Sequence, residues 1–209
     1  MKKTQSNNVI SITQAKKLKP VNTRKKIIDA YIGLITKQGF SATTHKQLAE
    51  KTQVSSSTIY HHFAKKTDLY EALIDRAHKK FLTLIDDEDM FTGTLEARVS
   101  LLVSLSWDFF QSQLYLASLE IRIMTRKDPI MVGAAELSEH YDTKRTQRLR
   151  QILVGANVND RELWEALTYG HTTLIGLCHE TIRKPKLDNI DSYLRRISRN
   201  MVKMLKSAD

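Results

Sequence analysis

No proline interrupts this chain between Pro20 and Pro129, and only seven glycines occur in its 209 residues. A stretch that long, free of the residue that fixes φ and removes a backbone donor, can satisfy its amides in continuous helices. The apolar residues recur at i, i+3, i+4, the spacing of a buried helical face. The chain therefore reads as all-α with about nine helices, long enough for one domain or two small ones.

Start and stop signals divide the first third. Residues 1–22 are polar and basic and are expected to form a disordered arm, either a plain tail or one adding phosphate or minor-groove contacts. Thr23 is the expected cap of a first helix that buries Ile27, Ala30, Tyr31, Leu34 and Ile35 and ends at Gly39. Thr44 with Gln47 three residues on is a capping box for a second helix burying Leu48 and Ala49. Ser55 opens a third, with Thr58 three positions on and Val54, Ile59 and Phe63 apolar. A fourth starts at Lys66 or Thr67, with Asp68 and Glu71 suiting its positive end. Leu69, Leu73, Ala77, Phe81 and Leu84 carry it to the acidic run Asp86–Asp89, as a mechanical link between two domains.

Two short helices joined by a tight turn within residues 41–69, the second polar outside, form a helix-turn-helix suited to the DNA major groove. Charge agrees with this. The chain carries 33 Lys and Arg against 23 Asp and Glu, net +10; through Lys66 there are thirteen basic and two acidic residues, so the first third holds +11 and the remainder −1. Such asymmetry suits a polyanion-binding module. Ser55, Ser56, Ser57 and Thr58 place hydroxyls at the start of the third helix, where free N–H groups favour phosphate. Hydroxyls bond to several base edges and discriminate poorly, so His45 and Lys46, beside Thr44, are assigned part of the readout.

The remaining helices are longer and more apolar. Thr94 caps one running to about Gln111, with Leu101, Leu102, Val103, Leu105, Trp107, Phe109 and Phe110, expected at the centre of a core. Leu114–Arg126 is another. Asp128–Pro129 opens the next, which runs to about Val154 with Lys144, Arg145, Arg148 and Arg150 on its exposed side. Asn159–Glu162 is a capping box for a helix through Arg183, stopped by Pro185, and Asp188 caps the last. Leu163–Ile182 is apolar on two faces, one stripe with Leu163, Leu167, Gly170, Leu174 and Leu177, the other with Trp164, His171, Ile175, Cys178 and Ile182. It is expected to face both its own core and a partner subunit.

This plan resembles the tetracycline-repressor-like (TetR) family. Gly39-Phe40, Thr43-Thr44, Leu48-Ala49, Val54-Ser55, Thr58-Ile59-Tyr60, His62-Phe63, Lys66 and Leu69 fall at the spacings of that family's N-terminal signature, over residues 23 to 70. Arg126-Lys127-Asp128-Pro129 is similar to a helix junction of these regulators. Gln53, Ser56 and Ser57 depart from it, standing where the pattern often has Gly, Lys and Gly.

The resemblance implies a basic arm (1–22), a helix-turn-helix DNA-binding domain (23–70) and a regulatory and dimerisation domain (71–209). It puts Tyr60, His62 and Lys66, with His61 between them, on the DNA phosphates, a core-packing aromatic being the alternative for Tyr60. It implies a homodimer through Gly170, Leu174, Leu177, Tyr193, Ile197 and Met201, bound to an inverted repeat in double-stranded DNA. It implies a pocket for an apolar or amphipathic small-molecule effector, for which Trp107, Phe110, Glu120, Arg122, Met124, Trp164 and His171 are candidates. The expected function is that of an effector-released repressor. The alternative is a nucleoid or cell-division factor of similar fold controlled by a protein partner.

Other classes find little support. The lone cysteine, Cys178, excludes an internal disulfide, and His171 lies two helical turns away, ~10.5 Å, beyond hydrogen-bond reach. No phosphate-binding glycine loop or metal-ligand spacing occurs, so neither catalytic residue, cofactor nor metal is expected. Met-Lys-Lys is followed by no apolar stretch, and no apolar run approaches the ~20 residues of a membrane span. A soluble, cytoplasmic protein without membrane contact is expected.

Overall fold

The computed structural model describes residues 22–125, 132–156, 158–184 and 187–206, with residues 132–138 described in backbone only. Among these residues there are nine α-helices and no strand: α1 Thr23–Gln38, α2 His45–Thr52, α3 Ser56–His62, α4 Lys66–Ile85, α5 Leu95–Phe110, α6 Gln113–Thr125, α7 Val132–Ile152, α8 Asp160–Arg183 and α9 Ile190–Lys206. A 3-10 turn over Glu88–Phe91 joins α4 to α5. The Asp128–Pro129 junction, the Pro185 stop and nearly all of the basic arm lie outside the described residues. No described helix is long and apolar enough to cross a membrane.

The caps account for most boundaries. Thr44 accepts from the Gln47 amide and the Gln47 side chain accepts from the Thr44 amide, closing the capping box of α2. Asn159 and Glu162 do the same for α8. At α1 the cap is Asn22, whose Oδ1 accepts from Lys25 N at 3.1 Å, so Thr23 is the first helical residue instead of the cap. The α9 helix starts at Ile190, after Asn189 in the left-handed region (φ 65°), one residue beyond the start that an Asp188 cap implies.

Buried apolar residues form two clusters. The head cluster joins Ile27, Tyr31 and Ile35 of α1, Leu48 of α2, Ile59 of α3 and Leu69 and Leu73 of α4. The body cluster gathers α5 with Ala77 and Ile85 of α4, Leu149 of α7, Leu174 of α8 and Ile197, Met201 and Leu205 of α9. Helix α5 is central to it, as its apolar faces imply. Helix α4 contributes to both clusters and spans them as one rigid rod. So does α6, whose Ala117 and Ile121 are fully buried in the head cluster.

The turn between α2 and α3 holds Gln53, one of the departures from the signature that the sequence resembles. Gln53 adopts φ 53°, ψ 36°, the left-handed conformation in which a Cβ is strained. Gln53→Gly is therefore expected to raise stability by about 1 kcal/mol. A urea unfolding midpoint that stays level or falls would contradict this.

Candidate nucleic-acid interface and ligand cavity

Helices α2 and α3 present one polar edge. The Ser55 hydroxyl caps α3 by accepting from Thr58 N at 3.1 Å, and it also lies 2.8 Å from Ser57 Oγ and 2.7 Å from Thr58 Oγ1. These three hydroxyls therefore form one local network, and the exposed Ser56 stands outside it. Lys46 is exposed in the first turn of α2, while Thr44 is tied into its capping box. The His45 ring stacks on Tyr60, centroids 4.9 Å apart and planes 4° from parallel, clamping α2 to α3. Tyr60 remains 52% exposed, so it is not the core aromatic that was its alternative. His61 is exposed, and its ring meets the half-buried His62 edge-on at 5.5 Å.

Lys66 behaves differently from a solvated lysine. Its ammonium rests 4.4 Å above the Phe40 ring and 5.9 Å from that of Tyr70, a cation–π seat. Burial lowers its pKa, and burial together with this nearby ammonium lowers that of His45. On the far side of α3, Arg24 covers Phe63, with its guanidinium 5.0 Å from the ring. Arg24 and Lys66 thus cover aromatics of the head, whereas Lys46 lies in solvent.

The second feature is a cavity of about 240 Å³ inside the helical body. Its wall comes from α4 (Ala77, His78, Phe81), α5 (Leu102, Ser106, Phe109, Phe110), α6 (Tyr115, Ser118, Arg122), α7 (Asp142, Arg145, Leu149), α8 (Trp164, Leu167, Thr168, His171) and Met201 of α9. Aromatics make the floor: Phe110 and Tyr115 stack at 4.5 Å, and His171 meets Phe110 edge-on at 5.4 Å. The polar side is cationic. Arg145 pairs with Asp142 at 2.7 Å, and Arg122 has no carboxylate partner among the described residues. The Tyr115 hydroxyl is buried without a hydrogen-bond partner.

Of the residues the sequence suggested for a pocket, Phe110, Arg122, Trp164 and His171 line this cavity. Three do not, and are corrected here. Trp107 is buried in the body cluster on another face of α5. Met124 is 58% exposed. Glu120 points to the head, where its Oε1 accepts from Phe40 N at 2.6 Å. Arg145, expected on the exposed side of α7, instead faces the cavity, as do His78 and Tyr115, which the sequence did not single out. The spacing Asp142, Arg145 (i, i+3) was the available signal.

The expected subunit interface also needs correction. Gly170, Leu174, Leu177, Ile197 and Met201 are buried within this single chain. A Cβ at Gly170 would meet Met201 Sδ at 2.5 Å, so the glycine serves α8–α9 packing. Tyr193 alone of that set is exposed. The outward face of α8 carries Ile175, Gly176, His179 and Ile182, with open space at Gly176 and Ile182 63% exposed. Cys178 is buried, its thiol donating to Phe110 O at 3.5 Å. Among the described residues no group of His, Cys, Asp and Glu could hold a metal ion.

Residues 27–73 match the family model described as bacterial regulatory proteins, tetR family. Over 138 residues the chain is 30% identical to the uncharacterized HTH-type transcriptional regulator YvkB of Bacillus subtilis (strain 168), covering 63% of this chain. The match spans 64% of that relative, just under two thirds of its length. Over 142 residues it is 29% identical to the nucleoid occlusion factor SlmA of Alteromonas mediterranea, covering 64% of this chain and 70% of that protein. The fold is similar to that of the multidrug binding protein EbrR in its complex with ethidium, with TM-score 0.61 and 18% identity over 86% of this chain and 98% of the other.

The cavity histidines give a pH dependence. Burial, then the positive charges of Arg122 and Arg145, lower the His78 pKa from 6.5 to about 4 against the opposing pull of Asp142 and Asp75. Burial and the same two arginines lower that of His171. Below pH 6.5 the unfolded chain binds protons that the folded one refuses, so stability falls as pH drops from about 6.5 towards 4. His78→Phe, which keeps a ring against Tyr141 (4.9 Å in the stacked pair), should flatten that slope in urea titrations. An unchanged slope would contradict the assignment.

Proposed function

We propose that this chain, which belongs to the tetR family of bacterial regulatory proteins, is a dimeric DNA-binding transcriptional repressor released from an inverted-repeat operator by a small molecule in the cavity. The observation that carries the reading is the double engagement of α6. Tyr115, Ser118 and Arg122 line the cavity, while Ala117 and Ile121 lie in the head cluster and Glu120 binds the Phe40 amide. A ligand that displaces α6 therefore displaces the head, and the two sites become thermodynamically linked. EbrR, similar in fold, was solved with ethidium, and a ligand-bearing body of this kind is the precedent taken here.

In this reading the edge of α2 and α3 enters the major groove. Lys46 reads bases, Ser56 and the Ser55 turn meet phosphate, and Tyr60, His61 and His62 fix the register. Lys66 leaves its aromatic seat only if the phosphate draws it off. The dimer forms through the outward face of α8, where Ile175, Gly176 and Ile182 allow close approach, with Tyr193 at its edge. Two heads then stand one helical turn apart, ~34–36 Å, on the operator. The reading drawn from SlmA, control by a protein partner, leaves the cavity without a role.

Three outcomes test this. Operator fragments selected from genomic DNA should be bound by the wild type and released when a cavity ligand is added, read by fluorescence anisotropy. Lys46→Ala should blur discrimination at one base position by ~1–3 kcal/mol, whereas Lys66→Ala should weaken all sequences alike and reduce the salt slope by about 1. Ile182→Asp, harmless to an exposed site in a monomer, should convert dimer to monomer in light scattering and abolish operator binding. A dimer that persists in Ile182→Asp would remove α8 from the interface.

A further inference from the structure

Resting on the reading of the cavity as a ligand site, we infer that its ligand is a compact amphipathic carboxylate, held head-first by Arg122 and the Tyr115 hydroxyl over an aromatic floor. Four features lead there.

The first is the charge of the lining. Among the described residues, Arg122 and Arg145 face the cavity against one carboxylate, Asp142, a net +1, with the pKa values of both histidines held down. One carboxylate balances that charge, whereas a cationic ligand adds a second positive charge beside two guanidiniums. The second is the free guanidinium. Asp142 engages Arg145, whereas Arg122 has no carboxylate within ion-pair distance among the described residues. A planar fork with free donors is the group best matched to a carboxylate.

The third is the orphaned hydroxyl of Tyr115. It is buried without a partner on the same helix as Arg122, two turns away, and the charges of Arg122 and Arg145 both act on it. A buried donor left unpaired is costly and calls for an acceptor. The hydroxyl oxygen is sealed from solvent in the free protein, so pairing it with the carboxylate that Arg122 holds requires a turn of the Tyr115 side chain towards the cavity. The fourth is size and floor. At about 240 Å³ the cavity lies just below the usual small-molecule range of roughly 300–1,000 Å³. Phe81, Phe109 and Phe110 offer rings to a single aromatic group or a short alkyl chain.

The test uses full-length protein and three probe sets: benzoate, 3-phenylpropionate and octanoate, each with its primary amide and the corresponding amine. Thermal shift and calorimetry should show saturable binding of at least one carboxylate, with its amide and amine at least tenfold weaker. Arg122→Gln should weaken that carboxylate about tenfold or more, and Tyr115→Phe, which keeps the ring and its packing, by several-fold. Arg199→Gln, the same charge change at an exposed position of α9, should leave it within twofold. Equal loss in Arg199→Gln and Arg122→Gln would mean general attraction to a basic protein and would overturn the inference. Binding of amides or amines as tightly as the acid, quenching Trp164 fluorescence, would overturn the carboxylate class while leaving the cavity as the ligand site. If no member of any set binds, both readings fail.

Discussion

Helix α6 is held from two sides at once. Ala117 and Ile121 are buried to completion among the side chains of α1 and α4, and the Glu120 carboxylate accepts the Phe40 amide across the junction. One residue along the helical wheel, Tyr115, Ser118 and Arg122 form part of the cavity wall. A hydrogen bond from a backbone amide to a carboxylate is among the stronger kinds, worth about 1.5–3 kcal/mol. Close packing of Ala117 and Ile121 against the head means that α6 cannot shift without moving its neighbours there. In the proposed reading the head's orientation and the cavity's shape are therefore one variable.

Helix α4 makes the same connection along a different line. Its first turns belong to the head through Leu69 and Leu73, and its later turns reach the cavity through Ala77, His78 and Phe81. Tyr141 of α7 donates to Asp75 at 2.6 Å and stacks on His78, which anchors this rod from the body side. Two rigid elements crossing one junction constrain a hinge far more than one would. Electrostatics divides the labour. The basic first third faces the proposed polyanion, while inside the body burial, and then Arg122 and Arg145, hold down the pKa values of His78 and His171.

Much of this was legible in the sequence wherever the signal was local. The capping boxes at Thr44 and Asn159 fix helix starts through side chains three residues apart, so residue types alone disclose them. The apolar faces of α5 likewise identify a central helix. Tertiary neighbours were not legible. Gly170, Leu174 and Leu177 on α8 read as part of a subunit interface, but only the structure shows that Met201 of α9 fills the space beside Gly170. Glu120 looked like a polar anchor in an apolar helix, and it is one, for Phe40 on the other side. Arg145 looked solvated because its helix is rich in charge; the cavity that it faces is completed by five other helices, whose packing no local spacing in the sequence discloses.

The linkage between cavity and head is tested most directly by a reciprocal titration. Operator affinity is measured by anisotropy with the cavity empty and saturated, and ligand affinity by calorimetry with and without operator. The account predicts that saturation weakens operator binding about fivefold or more, and that operator weakens ligand binding by the same factor. An operator affinity unchanged by a saturated cavity would contradict it.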